Sequence, residues 1–441
     1  MTTHRLTVIG TGYLGATHAV CMAELGYDVL GMDVDVDKIK RLNAGEIPFF
    51  EPGLEALLQK QLDSGRLRFT TSFEEVAEFG DVHFICVGTP QKIGEYAADM
   101  TFVDAAIDGI APFLTHPCLV VGKSTVPVRT AERLGARLLE TSPAGADVEL
   151  AWNPEFLREG FAVRDTLEPD RLVFGVSPGG SAEEVLRNVY EPIIAKGTPV
   201  VVADLQTAEL VKVAANAFLA TKISFINAMA EVCEAVGADV TALSKALSYD
   251  DRIGGKFLGP GLGFGGGCLP KDIRAFMARA GELGVDQALS FLREIDAINI
   301  RRRVRMVDMA REQVGGTFTN CRIAVFGAAF KPNSDDIRDS PALDVADIIR
   351  RQGATVTVYD PEAMGNARRK FPELRFADTA FEAATDADLV LHLTEWQEFR
   401  DMDPDALRAV VRVPHIVDGR NILDAEDWRA KGWTYRALGR P

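Results

Sequence analysis

Positive charge is scarce in this chain of 441 residues: 48 Lys and Arg stand against 64 Asp and Glu, a net charge of −16. Such an acidic balance argues against binding a nucleic-acid backbone, which needs a basic stripe. Cysteine is thin and scattered. Cys21, Cys86, Cys118, Cys233, Cys268 and Cys321 form no CxxC pair, so a reduced, cytoplasmic chain is expected rather than a disulfide framework. The six histidines show no ligand spacing, and no metal site is expected. No run reaches the ~18 consecutive apolar residues of a membrane helix. The opening Met-Thr-Thr-His-Arg lacks a basic region followed by an apolar one, so no signal peptide is expected. Neither membrane nor nucleic acid is therefore an expected partner. Disorder is excluded for the bulk of the chain, because 47% of it is hydrophobic and only 25% charged.

What is present alternates. Arg5 to Gly10 is a short apolar, β-branched run that predicts a buried strand. A helical stretch follows and stops at Gly26, then come strand-like runs at Asp28–Asp33, Asp81–Val87 and Cys118–Gly122. This alternation predicts a doubly wound parallel sheet. From about Leu205 to Val236 the pattern is helical and rich in Ala; a second helical stretch runs from about Asp286 to Gln313. Alternation then resumes at Arg322–Phe326, Thr355–Asp360 and Asp388–Thr394. Buried parallel strands all look alike, but here strand, turn, acidic end and third strand recur in the same order. The expected fold class is α/β, with two Rossmann-like doubly wound domains joined by a central helical region. The expected divisions are 1–200, 201–314 and 315–441.

Gly10-Thr-Gly12-Tyr-Leu-Gly15 is a GxGxxG sequence between a strand and a helix. In that setting the first glycine turns the chain, the second admits a pyrophosphate, and the third lets helix and sheet approach. Asp33 ends the second strand, where a carboxylate bonds ribose hydroxyls and repels a 2′-phosphate, so NAD is expected over NADP. Val87-Gly-Thr89-Pro and Ser124-Thr125-Val-Pro follow strands, at the ends that line a cofactor crevice.

Gly254 to Gly267 holds eight glycines in fourteen residues and leads into Cys268-Leu-Pro-Lys271-Asp272. Glycine at this density frees backbone amides to wrap a phosphate. Phe257, Leu258, Leu262 and Phe264 set the segment apart from a flexible linker, which would carry Ser and charge. Cysteine is ordinarily an inert core residue. Cys268 instead ends a glycine loop and precedes a helix start with Lys271 beside it, a setting that activates a thiol. Lys212 and Asn216 share one face of an otherwise apolar helix, which reads as a cleft lining.

Further segments complete a pattern: Asn153-Pro-Glu155-Phe156-Leu157-Arg-Glu159-Gly160, Glu209-Leu-Val-Lys212, Arg252-Ile-Gly254, Phe330-Lys331-Pro332 with Asp335-Asp-Ile-Arg338, and Asp418-Gly-Arg420. With the glycine turn and the cysteine loop, they make the chain resemble the nucleotide-sugar 6-dehydrogenases of the UDP-glucose/GDP-mannose dehydrogenase family over nearly its whole length. The resemblance implies an NAD-dependent, four-electron oxidation of an alcohol carbon to the acid. Cys268 would capture the aldehyde as a thiohemiacetal, which becomes a thioester and is released by water. Lys212, with Asn216 beside it, would stabilise oxyanion charge. Asp272 and Glu155 would handle water and protons, with Thr125 ordering the water.

The same resemblance puts Gly10, Gly12, Tyr13, Leu14, Gly15, Asp33, Lys38, Thr89, Thr125, Glu159, Lys271 and Arg338 on NAD. It puts Glu155, Phe156, Leu157, Lys212, Asn216, Arg252, the loop Gly259–Gly265 with Phe264 and Gly265, Phe330, Lys331 and Arg420 on the nucleotide sugar. Arg252 would reach into a partner subunit of a homodimer or larger homo-oligomer. The Gly-Phe-Gly-Gly run and Arg252-Ile-Gly254 look like the UDP-glucose branch, with UDP-glucuronate as product. A UDP-N-acetylhexosamine or GDP-mannose substrate, a one-step hydroxyacid dehydrogenase and a non-catalytic nucleotide-binding module are the alternatives. Two positions depart from the family pattern. Gly267 stands where Ser is common, which is expected to loosen the thiol's setting, and Val213 stands where Tyr is common after the lysine.

Overall fold

The structure is a computed structural model that describes residues 4–441. It divides into two compact units, one of residues 4–215 with Ala278–Gly284, the other of Asn216–Met277 with Val285–Pro441.

The first unit is built on an eight-stranded sheet. Its strands are β1 (Leu6–Ile9), β2 (Val29–Met32), β3 (Leu67–Thr70), β4 (Val82–Ile85), β5 (Cys118–Gly122), β6 (Val148–Trp152), β7 (Leu172–Gly175) and β8 (Val200–Ala203). They lie in the order β3-β2-β1-β4-β5-β6-β7-β8. All neighbours are parallel except β6 and β7. β1, β2, β4 and β5 are buried along their whole length, because apolar clusters cover both faces of the sheet. That is why they read as continuous apolar runs instead of alternating ones. Leu6 pairs with both Val29 and Val82, so β1 sits at the centre, where the chain reverses its direction of growth. The glycine turn leaves from its C-terminal end and opens α1 (Tyr13–Glu24). Helix α2 (Thr130–Thr141) follows β5.

Helix α3 (Leu205–Val236) gives residues 205–215 to the first unit and the remainder to the second. Its observed ends coincide with the stretch read from the sequence, and Gly237 closes it at φ +75°. Among the described residues it is the one helix long and apolar enough to cross a membrane, although nearly half of its most apolar window is packed inside the protein.

The second unit adds α4 (Val240–Ser248), whose first turn is capped by the Asp239 carboxylate, then α5 (Leu269–Glu282) and α6 (Phe291–Gln313). Its sheet contains β9 (Arg322–Phe326), β10 (Thr355–Tyr359), β11 (Arg375–Phe376), β12 (Leu389–His392), β13 (His415–Asp418) and β14 (Thr434–Ala437), and α7 (Pro341–Arg351) follows β9. The strand order β11-β10-β9-β12-β13-β14 is the 3-2-1-4-5-6 order of dinucleotide-binding folds. All pairs are parallel. The second Rossmann-like sheet expected from the sequence is therefore present. Its acidic strand end is used differently from that of the first sheet. Asp360, fully buried, accepts the N–H groups of Ala328, Ala329, Glu362 and Ala363 and the indole of Trp396. That carboxylate is consumed in holding its own turn.

Candidate active site

In the first unit the turn after β1 has the features a dinucleotide needs. Gly10 takes φ +90°, and a Cβ on Gly15 would stand 1.7 Å from the Gly10 carbonyl oxygen, so neither position tolerates a side chain. Where a Cβ on Gly12 would point there is no atom within 4 Å, and no acidic residue occupies the first turn of α1. An open, uncompensated helix N-terminus suits a pyrophosphate. Asp33 accepts from Thr11 N–H (2.9 Å), Asp35 N–H (3.1 Å) and the Lys38 ammonium (2.8 Å). Burial opposes its charge, but the lysine and the backbone donors outweigh burial and hold the carboxyl below its usual range.

Tyr13 is fastened by a residue the sequence reading did not single out. Glu51 takes the Tyr13 hydroxyl and the N–H groups of Gly160 (2.6 Å) and Ala162 (2.7 Å). It thereby ties the glycine turn to the segment that carries Glu159. The only sequence signal was a carboxylate before Pro52-Gly53, which is an ordinary loop pattern.

The two strand-end loops are stitched together. Thr89 donates to the Thr125 carbonyl (2.8 Å) and Ser124 to the Val87 carbonyl (2.6 Å). Lys212, on the first-unit part of α3, pairs with Glu155 at 3.0 Å, and both side chains are largely shielded from solvent. Glu155 also accepts the Leu157 N–H (2.8 Å). Phe156 meets two cations, the Arg171 guanidinium 3.8 Å and the Lys212 ammonium 5.6 Å from its ring centre. One turn before Lys212, Glu209 accepts the N–H groups of Arg129 (2.7 Å) and Ala131 (2.6 Å) and so caps α2. Burial pushes its carboxyl up to about 7 against those hydrogen bonds and the nearby Arg279. Its motif was visible in the sequence, but not the helix it would cap.

In the second unit Cys268 immediately precedes α5 and is exposed, and its carbonyl accepts the Asp272 N–H (2.9 Å) in the first helical turn. Asp272 is buried. One of its oxygens accepts the Asn216 amide (2.6 Å) and the other the Lys271 ammonium (2.5 Å). Asn216, Lys271, Asp272 and the segment of Cys268 are thus assembled on α3 and α5.

In the glycine loop several amides have acceptors inside the protein: Gly261 on Asn227, Leu262 on the Gly419 carbonyl, Phe264 on Asn299, and Gly266 on the Arg338 carbonyl. Its glycines are there for close approach. A Cβ at 261, 263 or 265 would meet backbone or side-chain oxygen at 2.2–2.5 Å, and at 266 the ring of Phe330. Position 267 is not loose either. A Cβ there would stand 2.2 Å from the Arg338 guanidinium carbon, so that guanidinium fills the space a side chain would take. Arg338 also pairs with Asp336 (2.7 Å).

Lys331 lies over the Phe330 ring at 5.3 Å. Arg420 donates to the carbonyls of Gly263 (2.9 Å), Leu393 (2.7 Å) and Phe330 (3.3 Å), joining the glycine loop to two strand-end loops. It is held by Asp418, which accepts four successive N–H groups from Arg420 to Leu423, as well as the Tyr435 hydroxyl and His392. These donors overcome burial and bring the Asp418 carboxyl down to about 2. Arg252 is exposed and pairs with its neighbour Asp250 (2.6 Å).

Three family models match the chain: the NAD binding domain of the UDP-glucose/GDP-mannose dehydrogenase family over residues 4–194, its central domain over 206–301 and its UDP binding domain over 324–425. A UDP-glucose 6-dehydrogenase of Rhizobium meliloti is 44% identical over 438 residues, covering 99% of this chain and 100% of its own. The UDP-glucose 6-dehydrogenase TuaD of Bacillus subtilis is 40% identical, covering 99% of this chain and 93% of its own. Among solved structures, a UDP-glucose dehydrogenase from Pyrobaculum islandicum superposes with a TM-score of 0.91 at 36% identity, covering 100% of this chain and 98% of its own.

Proposed function

The chain belongs to the UDP-glucose/GDP-mannose dehydrogenase family, and from that premise we propose that it oxidises UDP-glucose to UDP-glucuronate with two NAD. The observation that carries this reading is an exposed Cys268 at the start of α5, one turn from a buried Asp272 fixed by Asn216 and Lys271. A one-step hydroxyacid dehydrogenase has no use for that thiol. Retention of Lys212, Cys268 and Asp272 together speaks against a non-catalytic module.

Bound NAD would supply the hydride acceptor for each of the two oxidations. The turn Gly10–Gly15 and the N-terminus of α1 would hold its pyrophosphate, and Asp33 its ribose. Cys268 adds through Sγ to the aldehyde carbon, and the carbonyl oxygen takes up the thiol's proton to give a thiohemiacetal. Removal of hydride and proton leaves a thioester, and water cleaves it to the acid and the free thiol. Lys212 carries positive charge for the oxyanion of these steps, with Glu155 orienting it. Asp272 holds or moves the proton of the attacking water, and Asn216 orients Asp272. Phe330, Lys331 and Arg420 serve the nucleotide, Arg420 chiefly by shaping the loop it crosses.

The three family spans support the division at 1–200, 201–314 and 315–441. A homodimer is the assembly we infer, and the cytoplasm its compartment. Purified protein should reduce two NAD per UDP-glucose consumed and leave UDP-N-acetylglucosamine, UDP-galactose and GDP-mannose largely untouched. One NADH per sugar would sink the thioester route, and preference for another nucleotide sugar would sink the substrate assignment.

A further inference from the structure

The first unit buries one ammonium group among neutral oxygens. Lys123 directly follows β5 and is nearly inaccessible. Its Nζ donates to the Asn153 side-chain oxygen (2.8 Å), the Asn153 carbonyl (3.4 Å) and the Tyr190 hydroxyl (3.2 Å). Three N–H groups thus meet three acceptors. The rings of Phe84 and Tyr190 each lie 5.8 Å from the nitrogen, a further favourable setting for a cation.

What Lys123 grips is the root of the loop bearing Glu155. Asn153 also donates its backbone N–H to Gly122 (2.8 Å) and its amide to the Val173 carbonyl (2.9 Å), and it accepts the Tyr190 hydroxyl (2.7 Å). Pro154 comes next, with its φ fixed by the ring, so the setting of Asn153 is passed on to Glu155. Glu155 then meets Lys212 at 3.0 Å.

We propose that Lys123 is a positioning residue: through Asn153 it sets the 153–160 loop so that Glu155 meets Lys212, and it does so only as an ammonium. A neutral amine has two N–H groups and leaves one of the three oxygens without its donor. The proposal rests on the roles given above to Glu155 and Lys212.

Burial among neutral partners pushes Lys123 down to about 8. The titratable groups facing it are Cys86 at the end of β4, Glu155 on the loop, Lys212 on α3, His18 on α1 and Tyr190. Cys86 is pushed up to about 12 and His18 far down, both by burial, so neither carries charge near pH 8. Glu155 favours the ammonium and Lys212 opposes it. Between about pH 8 and the ordinary lysine value of about 10.4, the unfolded chain binds the extra proton. Stability from this group therefore rises with pH while its grip on Asn153 is lost. A purely structural lysine would move stability and turnover together.

The test compares wild-type enzyme with Lys123→Met for kcat, KM and melting temperature from about pH 6.5 to 9.5, after NADH per sugar is counted on the wild type. The wild-type kcat should exceed the variant's about tenfold near pH 7, a modest misplacement effect. That ratio should fall toward one above about pH 9, with KM for NAD little changed. Wild-type melting temperature should meanwhile rise relative to the variant. Tyr190→Phe, which removes one acceptor, should move the alkaline loss of kcat to lower pH, and it carries the test if Lys123→Met does not fold. A ratio that stays constant with pH, or an unmoved alkaline midpoint in Tyr190→Phe, overturns the proposal. A wild type that yields no NADH from nucleotide sugars overturns the assigned reaction instead.

Discussion

Burial sets the thiols apart: Cys21, Cys86, Cys118 and Cys233 are buried, Cys321 is half-buried and Cys268 is exposed. Cys21, Cys86 and Cys118 are pushed up to about 12 by loss of solvent, whereas Cys268 is exposed at a helix start. Limited iodoacetamide should therefore label Cys268 first and abolish acid formation, and bound nucleotide sugar should slow the labelling. Cys268→Ala should keep NAD and sugar binding and lose net oxidation to the acid, with kcat down by more than about 10³-fold as for other lost nucleophiles. Near-normal release of two NADH per sugar by that variant would make the cysteine structural. One residue earlier, Gly267 yields its side-chain space to the Arg338 guanidinium. Gly267→Ala should displace that flexible group without unfolding the loop. KM for NAD should rise about threefold to fivefold, the scale of an exposed ionic contact. Unchanged cofactor affinity together with unchanged Cys268 alkylation would show that Arg338 does not depend on position 267.

Among the elements, α3 shows how a helix can be fully legible while its work is not. Its apolar composition and closing glycine gave both ends, and its Lys212 and Asn216 read as functional because polar groups on an apolar helix need partners. Nothing along the chain could assign Glu209 to the N-terminus of α2, some seventy-eight residues away. Its folded carboxyl lies near 7, above the ordinary glutamate value of about 4.3. The unfolded chain ionises first as pH rises, so the stability from this group is full below about pH 4.3 and lost by about pH 7. Glu209→Gln cannot titrate. Wild type should therefore lose melting temperature relative to that variant between about pH 4.5 and 7 and run parallel above; parallel curves throughout would mean that folding does not raise the Glu209 carboxyl. The glycine loop carries a different lesson. Its density was plain in the sequence, but not which parts of the chain its glycines and amides would pack against, Asn227, Asn299, Phe330 and Arg338 among them.

For the whole molecule, α3 leaves Phe218, Phe225 and Val232 exposed at seven-residue spacing, with Val236 one turn further on. A helix stripe of that period is what a second helix covers. Phe225→Glu should convert an inferred dimer to a monomer in light scattering and lower kcat at least about tenfold, because burying an unpaired charge costs several kcal/mol. A wild type that is monomeric and fully active would end the dimer proposal.

By itself the sequence determined the two parallel sheets and the long helix between them, because strand burial, helix period and glycine punctuation are local properties. It also marked the candidate site residues, since GxGxxG, the acidic strand end and a cysteine after a glycine loop each need only their neighbours to be read. Only the tertiary structure decided which carboxylates and amines are already spent. Asp360 repeats the position of Asp33 but is saturated by its own turn, Glu51 and Glu209 close distant loops, and Lys123 fastens the root of the Glu155 segment. The physical reason is that a hydrogen-bond partner is chosen by proximity in space. Burial, which fixes the worth of each such bond, exists only once the chain has folded.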